Sequence, residues 1–195
     1  MGNEFFAMMS RMKYIERWAL MRNSRPENIS EHSLETAMIA HALGVIANKR
    51  LDKDIDANRL AVMAMYHDST EIITGDMPTP IKYYNDEIKV AFKEVEKVAA
   101  NRLLSMIPDD LREAYEPVFL EREEDEELLK LLKAADKISA LIKCLEEKKA
   151  GNHEFISAEK TLKESLMAME LEEVKIFFEE FMPAYELTLD ELNSL

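Results

Sequence analysis

Apolar residues recur at helical spacing through nearly the whole chain, and that periodicity confines it to an all-α fold. Phe5, Met8, Met9, Met12, Ile15 and Trp18 share one helical face, which predicts a first helix over residues 5–18. Residues 19–26 break the pattern, and Pro26 disfavours helix at Arg25. Asn28 or Ser30 then caps a helix to about residue 49, with Asn28 and Glu31 at capping-box spacing. This helix carries two apolar stripes: Leu34, Ala37, Met38, Ala42 and Val45 form one, and Ile39, Leu43 and Ile46 the other. A helix apolar on two sides belongs in the middle of a bundle. His41 lies on the first stripe and reads as a core histidine.

A third helix is expected from Asp56 to about Glu71, and it is the informative one. Ala57, Leu60, Ala61 and Ala64 share a face that, extended by one more turn, reaches His67, Asp68 and Glu71. An inward stripe that ends in three polar, reactive side chains has no packing rationale. Residues 74–80 (TGDMPTP) read as a loop, since two prolines and a glycine break helix. Further helices are expected over about 85–106, from Pro108, over 123–149, 154–169 and 171–183, and around Leu189. The helix over 123–149 buries Leu128, Leu131, Ala135, Ile138, Ile142 and Leu145, and Asp136 flanks that stripe. A buried carboxylate is costly unless it is paired or binds a metal.

Composition narrows the function. A chain of 195 residues with 47% apolar content buries a core without staples, and reads as one domain over 1–195. The net charge of −14 argues against nucleic-acid polymers, whose binding rests on Lys and Arg. No apolar run approaches a membrane span. Residues 5–9 are apolar but short, and Arg11 and Lys13 follow, so no signal peptide is read there. The single cysteine, Cys144, makes neither an internal disulfide nor a Cys-based metal site, which points to the cytoplasm.

Two imidazoles, His32 and His67, and two carboxylates, Asp68 and Asp136, form a mixed N/O donor set suited to Mn, Co, Fe, Mg or Zn. The order His … His-Asp … Asp on successive helices is similar to the HD-domain superfamily. The strings MSRMKYIERWALMRN, SEHSLETAMIAHAL, MYHDSTEIITGDMPTPIKYYN and KAADKISALIKCLEE resemble, more narrowly, its bacterial 5′-deoxynucleotidases. That resemblance implies an HD-type helical bundle with the metal between central helices. It implies hydrolysis of deoxyribonucleoside 5′-monophosphates, one divalent metal (Co2+ or Mn2+ first; Mg2+, Zn2+ or Fe2+ compatible) and a homodimer. The implied metal ligands are His32, His67, Asp68 and Asp136. Glu71 matches the residue that acts on the attacking water or the leaving oxygen, and Asp76 a second acid of the site. Arg17 and Trp18 match the pair implicated in choosing deoxyribose, and Lys82 is a second candidate phosphate cation. His32, Asp68, Asp76 and Asp136 count among the substrate-binding positions as well. Sequence leaves open which of Glu71 and Asp76 serves the leaving group. Two alternatives also stand: another HD chemistry, on cyclic nucleotides, triphosphates or alarmones, and a non-catalytic metal-stabilised scaffold.

Ordinary roles are expected elsewhere. Cys144 reads as packing, His153 and Lys137 as surface, and residues 121–127 as a solvated helix start. Arg22, Asn23 and Arg25 read equally as phosphate ligands or as a polar loop. Phe177, Phe178 and Phe181, if exposed, would mark a partner surface.

Overall fold

The structure is a computed structural model that describes residues 3–193 except 83 and 121. It is all-α: among the described residues, the β-type pairing is one isolated antiparallel bridge, between Glu16 and Asn28. α1 (Phe5–Met9) tightens into a 3-10 turn over Ser10–Tyr14 and stops there, short of the Trp18 expected from spacing. Tertiary pairing overrides the local pattern. The Arg17 N–H donates to the Glu27 carbonyl at 2.8 Å, and the Ile29 N–H to the Ile15 carbonyl at 3.0 Å.

α2 (Ile29–Arg50) starts where its cap predicts, with the Asn28 side chain accepting from the N–H groups of Ser30 and Glu31. Of its two apolar stripes, the one with Ile39, Leu43 and Ile46 is core. The other is core only at Ala37, with Ala42 partly buried against it, and is corrected elsewhere: Leu34 is 55% exposed, Met38 60% and Val45 39%, and His41 is exposed beside them. α3 (Ala57–Tyr66) is capped by Asp56. It lies close against α2 because Gly44 has no side chain; a Cβ there would sit 2.8 Å from the Ala57 Cβ. α3 ends at Tyr66 rather than near Glu71, so His67 and Asp68 lie on the turn that follows. α4 (Glu71–Thr74) and α5 (Thr79–Lys82) are single turns. Pro80 sits early in α5, where a missing N–H costs nothing, so part of the predicted loop is helical.

α6 (Asp86–Leu104) and α7 (Asp109–Phe119) follow, and then α8 (Glu126–Lys149). α9 (Ile156–Met167), α10 (Glu172–Glu180) and α11 (Leu189–Leu192) complete the described chain. The main core joins α2, α3 and α8, with Leu43, Leu60, Leu131, Ile138 and Leu141 each fully buried. Each such side chain contributes about 1.5–3 kcal/mol. A smaller cluster of Phe5, Leu103, Leu104 and Ile107 fixes the N-terminus to α6.

Three further expectations change. Phe177 is buried and Phe178 partly buried against the core, so the three phenylalanines form no exposed cluster. Asp125, in the supposedly solvated acidic run, is fully buried and pairs with Arg59 at 2.7 Å; Glu121 lies outside the described residues. Lys137 is half-buried and donates to Ser165 Oγ at 2.7 Å.

Glu147 anchors the loop after Trp18. Its carboxylate is buried and accepts from the Ser24 N–H at 2.9 Å, from Asn152 at 2.7 Å and from Lys143. Burial works to raise its pKa, but Lys143 and Asn152 overcome that and hold it near 2. A carboxylate depressed on folding stabilises above its ordinary pKa and loses that contribution as pH falls toward the folded value. Glu147→Gln is therefore expected to lower stability by about 3 kcal/mol at neutral pH. The gap to wild type should narrow as pH falls from about 4.5 toward 2, read from urea midpoints across pH.

Candidate active site

Three central helices deliver the predicted donors to one place. His32 stands in the first turn of α2 and is fully buried. His67 and Asp68 come from the turn after α3, and Asp136 from the middle of α8. His32, His67 and Asp68 each offer an atom within 4.8 Å of the others. The Asp68 carboxylate lies 3.2 Å from His67 Nε2 and 3.5 Å from His32 Nε2. Asp136 joins through His32, its Oδ1 3.0 Å from Nε2.

The local chemistry fits a cation. His67 Nδ1 lies 2.7 Å from the Ala64 carbonyl, which only accepts, so Nδ1 carries the proton and Nε2 of the neutral ring carries a lone pair. That Nε2 is buried with no hydrogen-bond partner, although Asp68 is near. A lone pair facing a carboxylate is repulsive unless positive charge lies between them. Two imidazoles and two carboxylates supply the donors for a divalent ion of the Mn, Co, Fe, Mg or Zn type.

With no cation between them, a proton takes its place: burial lowers the His67 pKa, but Asp68 overrides it and pushes it up to about 9, so the site draws positive charge to Nε2 in either form. Burial raises the Asp68 carboxyl, yet His67, His32 and Arg17 bring it far below the usual carboxylate range. Asp136 is also lowered, by His32 against burial. Glu71 goes the other way: burial, Asp68 and Asp76 push it up to about 10. Its Oε2 is buried without a partner. Asp76 is raised by burial, with Arg17 and the Trp18 backbone N–H opposing.

Arg17 spans the rim, 3.3 Å from Glu27 and 3.9 Å from Asp136. Trp18 is held in an unusual backbone conformation, φ 58°, which is costly for a bulky residue and is maintained by its surroundings. Its indole N–H donates to Glu27 Oε2 at 2.8 Å, and its ring packs on Phe155 at 5.2 Å. Lys82 reaches Glu96 at 2.8 Å and lies over the Phe92 ring, at the edge of the Glu71 environment. Arg22, Asn23 and Arg25 form a polar loop: Asn23 closes it on the Trp18 and Met21 carbonyls, and Arg25 projects to solvent beside Glu31. His153 is exposed and Cys144 buried, its thiol pushed up to about 12 by burial.

Sequence reasoning missed three residues. Glu27 clamps Arg17 and Trp18 together, while Glu35 and Ser139 stand behind His32. No periodicity marks them, because each acts through a contact beyond the reach of helical spacing.

An all-helical fold with this convergent His–His–Asp site defines an HD-type phosphohydrolase. An HD-domain phosphohydrolase from Listeria innocua superposes with a TM-score of 0.79 at 26% identity, covering 93% of this chain and 88% of that one. The cyanophage S-2L HD phosphohydrolase, solved with dA and one catalytic Zn2+, gives 0.61 at 24% identity, over 95% and 96% of the two chains; that likeness is one of fold. Residues 4–185 match the YfbR-like 5′-deoxynucleotidases, and the chain belongs to that family. It is 48% identical to a 5′-deoxynucleotidase of Vibrio parahaemolyticus over 98% of both chains. It is 46% identical to one of Escherichia coli, over 98% of this chain and 96% of that one.

Proposed function

We infer that this protein is a metal-dependent 5′-deoxynucleotidase, hydrolysing deoxyribonucleoside 5′-monophosphates to deoxyribonucleoside and phosphate. The observation that carries the chemistry is the buried convergence of two imidazole Nε2 atoms on the Asp68 carboxylate, with an unpartnered Glu71 oxygen beside them. Membership in the family, matched over residues 4–185, supports the substrate class.

His32, His67, Asp68 and Asp136 would hold the ion, with Co2+ or Mn2+ the first choices and Mg2+, Zn2+ or Fe2+ compatible. When bound, such an ion supplies Lewis-acid charge to the phosphoryl group and lowers the pKa of water. Arg17, at the rim beside Asp136, adds positive charge for the phosphoryl oxygens, and Lys82 is a second cation on that side. Glu71, kept protonated by burial and its acidic neighbours, gives its proton to the leaving 5′-oxygen as the P–O bond breaks and water oxygen bonds to phosphorus. Asp76 is already engaged with the Trp18 backbone, and we assign it to positioning that residue and the sugar.

Trp18, pinned by Glu27 and Phe155, forms the wall against C2′ of the sugar. An apolar wall rejects an added hydroxyl by only about 10²-fold. Trp18→Ala is expected to bring the dAMP-to-AMP ratio of kcat/KM to within about tenfold while dAMP turnover persists. An unchanged ratio would remove Trp18 from specificity.

We further propose one HD-type domain over 1–195, a cytoplasmic enzyme and a homodimer. Among the described residues, no helix is long and apolar enough to cross a membrane. The exposed Leu34, Met38 and Val45 of α2, with Val62 and Met65 of α3, favour self-association, which light scattering on the purified protein tests. The function itself is tested on a panel of deoxynucleoside monophosphates, triphosphates and cyclic nucleotides. Phosphate released from the monophosphates alone supports this reading, and turnover confined to the other esters would replace it.

A further inference from the structure

His32 meets the donor cluster through Nε2, and its opposite ring nitrogen is held by a chain of two side chains. Nδ1 lies 3.0 Å from Ser139 Oγ, on α8 three residues beyond Asp136. The Ser139 hydroxyl donates its proton to Glu35 Oε2 at 2.6 Å. Glu35 stands three residues after His32 on α2. A serine has a single hydroxyl proton, so once it is given to Glu35 the oxygen can only accept. It therefore takes the proton of His32 Nδ1–H. His32 and Ser139 are both fully buried, so water does not scramble this order.

The arrangement has an opponent. Asp136 and Asp68 lie 3.0 and 3.5 Å from Nε2, and both are good acceptors. Left alone, they would draw the imidazole proton onto Nε2 and block that nitrogen with an N–H bond. His67 avoids the same fate through a backbone acceptor, the Ala64 carbonyl, one of the free carbonyls at the C-terminal end of α3. His32 sits in the first turn of α2, where the helix offers N–H groups instead. Side chains must then do what a carbonyl does for His67.

We propose that Glu35 and Ser139 are positioning residues that fix His32 as the Nδ1–H tautomer and aim its bare Nε2 at the metal. This rests on the reading of His32 and His67 as metal ligands. Partners that orient a metal-binding imidazole typically change metal affinity by about 10–100-fold when removed.

The test is metal affinity of the stripped, full-length protein, titrated with Zn2+ against a chromophoric chelator. It is combined with 15N NMR of the histidine tautomers in the metal-free state. Ser139→Ala and Glu35→Ala are expected to weaken Zn2+ binding by about 10–100-fold and to move His32 toward the Nε2–H tautomer. Glu35→Gln, whose amide oxygen still accepts from Ser139, should bind within about threefold of wild type. Glu35 is only half-buried and its variants leave the core intact, so they carry the test if Ser139→Ala does not fold. Folded variants with wild-type affinity and an unchanged His32 tautomer would overturn the proposal. His67→Ala separates the two levels: Zn2+ binding that survives it would overturn the ligand reading, whereas an unaltered tautomer in Glu35→Ala and Ser139→Ala overturns the relay alone.

Discussion

Asp68→Ala is expected to abolish phosphate release and metal binding together. Asp68 is the carboxylate that both histidines face, at 3.2 and 3.5 Å, and their rings lie only 5.3 Å apart. Its carboxyl is held far below the usual range despite burial, so it is anionic at any working pH. Without it, three donors remain and the site loses half its negative charge. Lewis-acid stabilisation of a phosphoryl group amounts to several kcal/mol, so activity should fall by at least about 10³-fold. The thermal stabilisation that added Co2+ or Mn2+ gives the wild type should vanish in the variant, since only binding to the folded state raises the melting temperature. A variant that still turns over dAMP at a tenth of the wild-type rate would remove Asp68 from the ligand set.

Glu71→Gln should separate chemistry from binding. The substitution keeps the shape and removes the transferable proton. We expect kcat to fall by about 10²–10⁴-fold, with KM and metal affinity little changed. Loss of metal affinity would make Glu71 a ligand and overturn its role in proton transfer. Stability should move the opposite way. Burial beside Asp68 and Asp76 raises the Glu71 pKa to about 10, so the folded state binds a proton that the unfolded chain has released. That contribution is complete below the ordinary carboxylate pKa and is lost as pH rises through the folded value. Glu71→Gln in the metal-free protein should therefore be more stable than wild type, increasingly so as pH rises above about 4.5. Denaturant midpoints across pH read this directly, and a site that trades stability for function accounts for it.

Much of this was legible from the residues because it is periodic. The inward face of α3 runs through Leu60 and Ala64 toward His67 and Asp68, and the buried stripe of α8 runs beside Asp136. Polar atoms at such positions announce chemistry even though α3 ends at Tyr66, five residues short of Glu71. What stayed hidden depended on which surfaces other elements cover. α2 is apolar on two sides, and nothing in its own sequence says that Leu34, Met38 and Val45 face solvent while Ile39, Leu43 and Ile46 do not. His41 followed the wrong stripe for the same reason. Trp18 keeps helical spacing with Ile15, but pairing of the Glu16 segment with Asn28 turns the chain and leaves the indole on Glu27. Glu35 and Ser139 are 104 residues apart and meet only because α2 and α8 pack together.

The most direct test is phosphate release from dAMP and AMP by metal-stripped protein, with and without added Co2+ or Mn2+. Metal-dependent release from dAMP, with AMP slower by about 10²-fold, is the expected result. No release from dAMP with the metal bound would contradict the account.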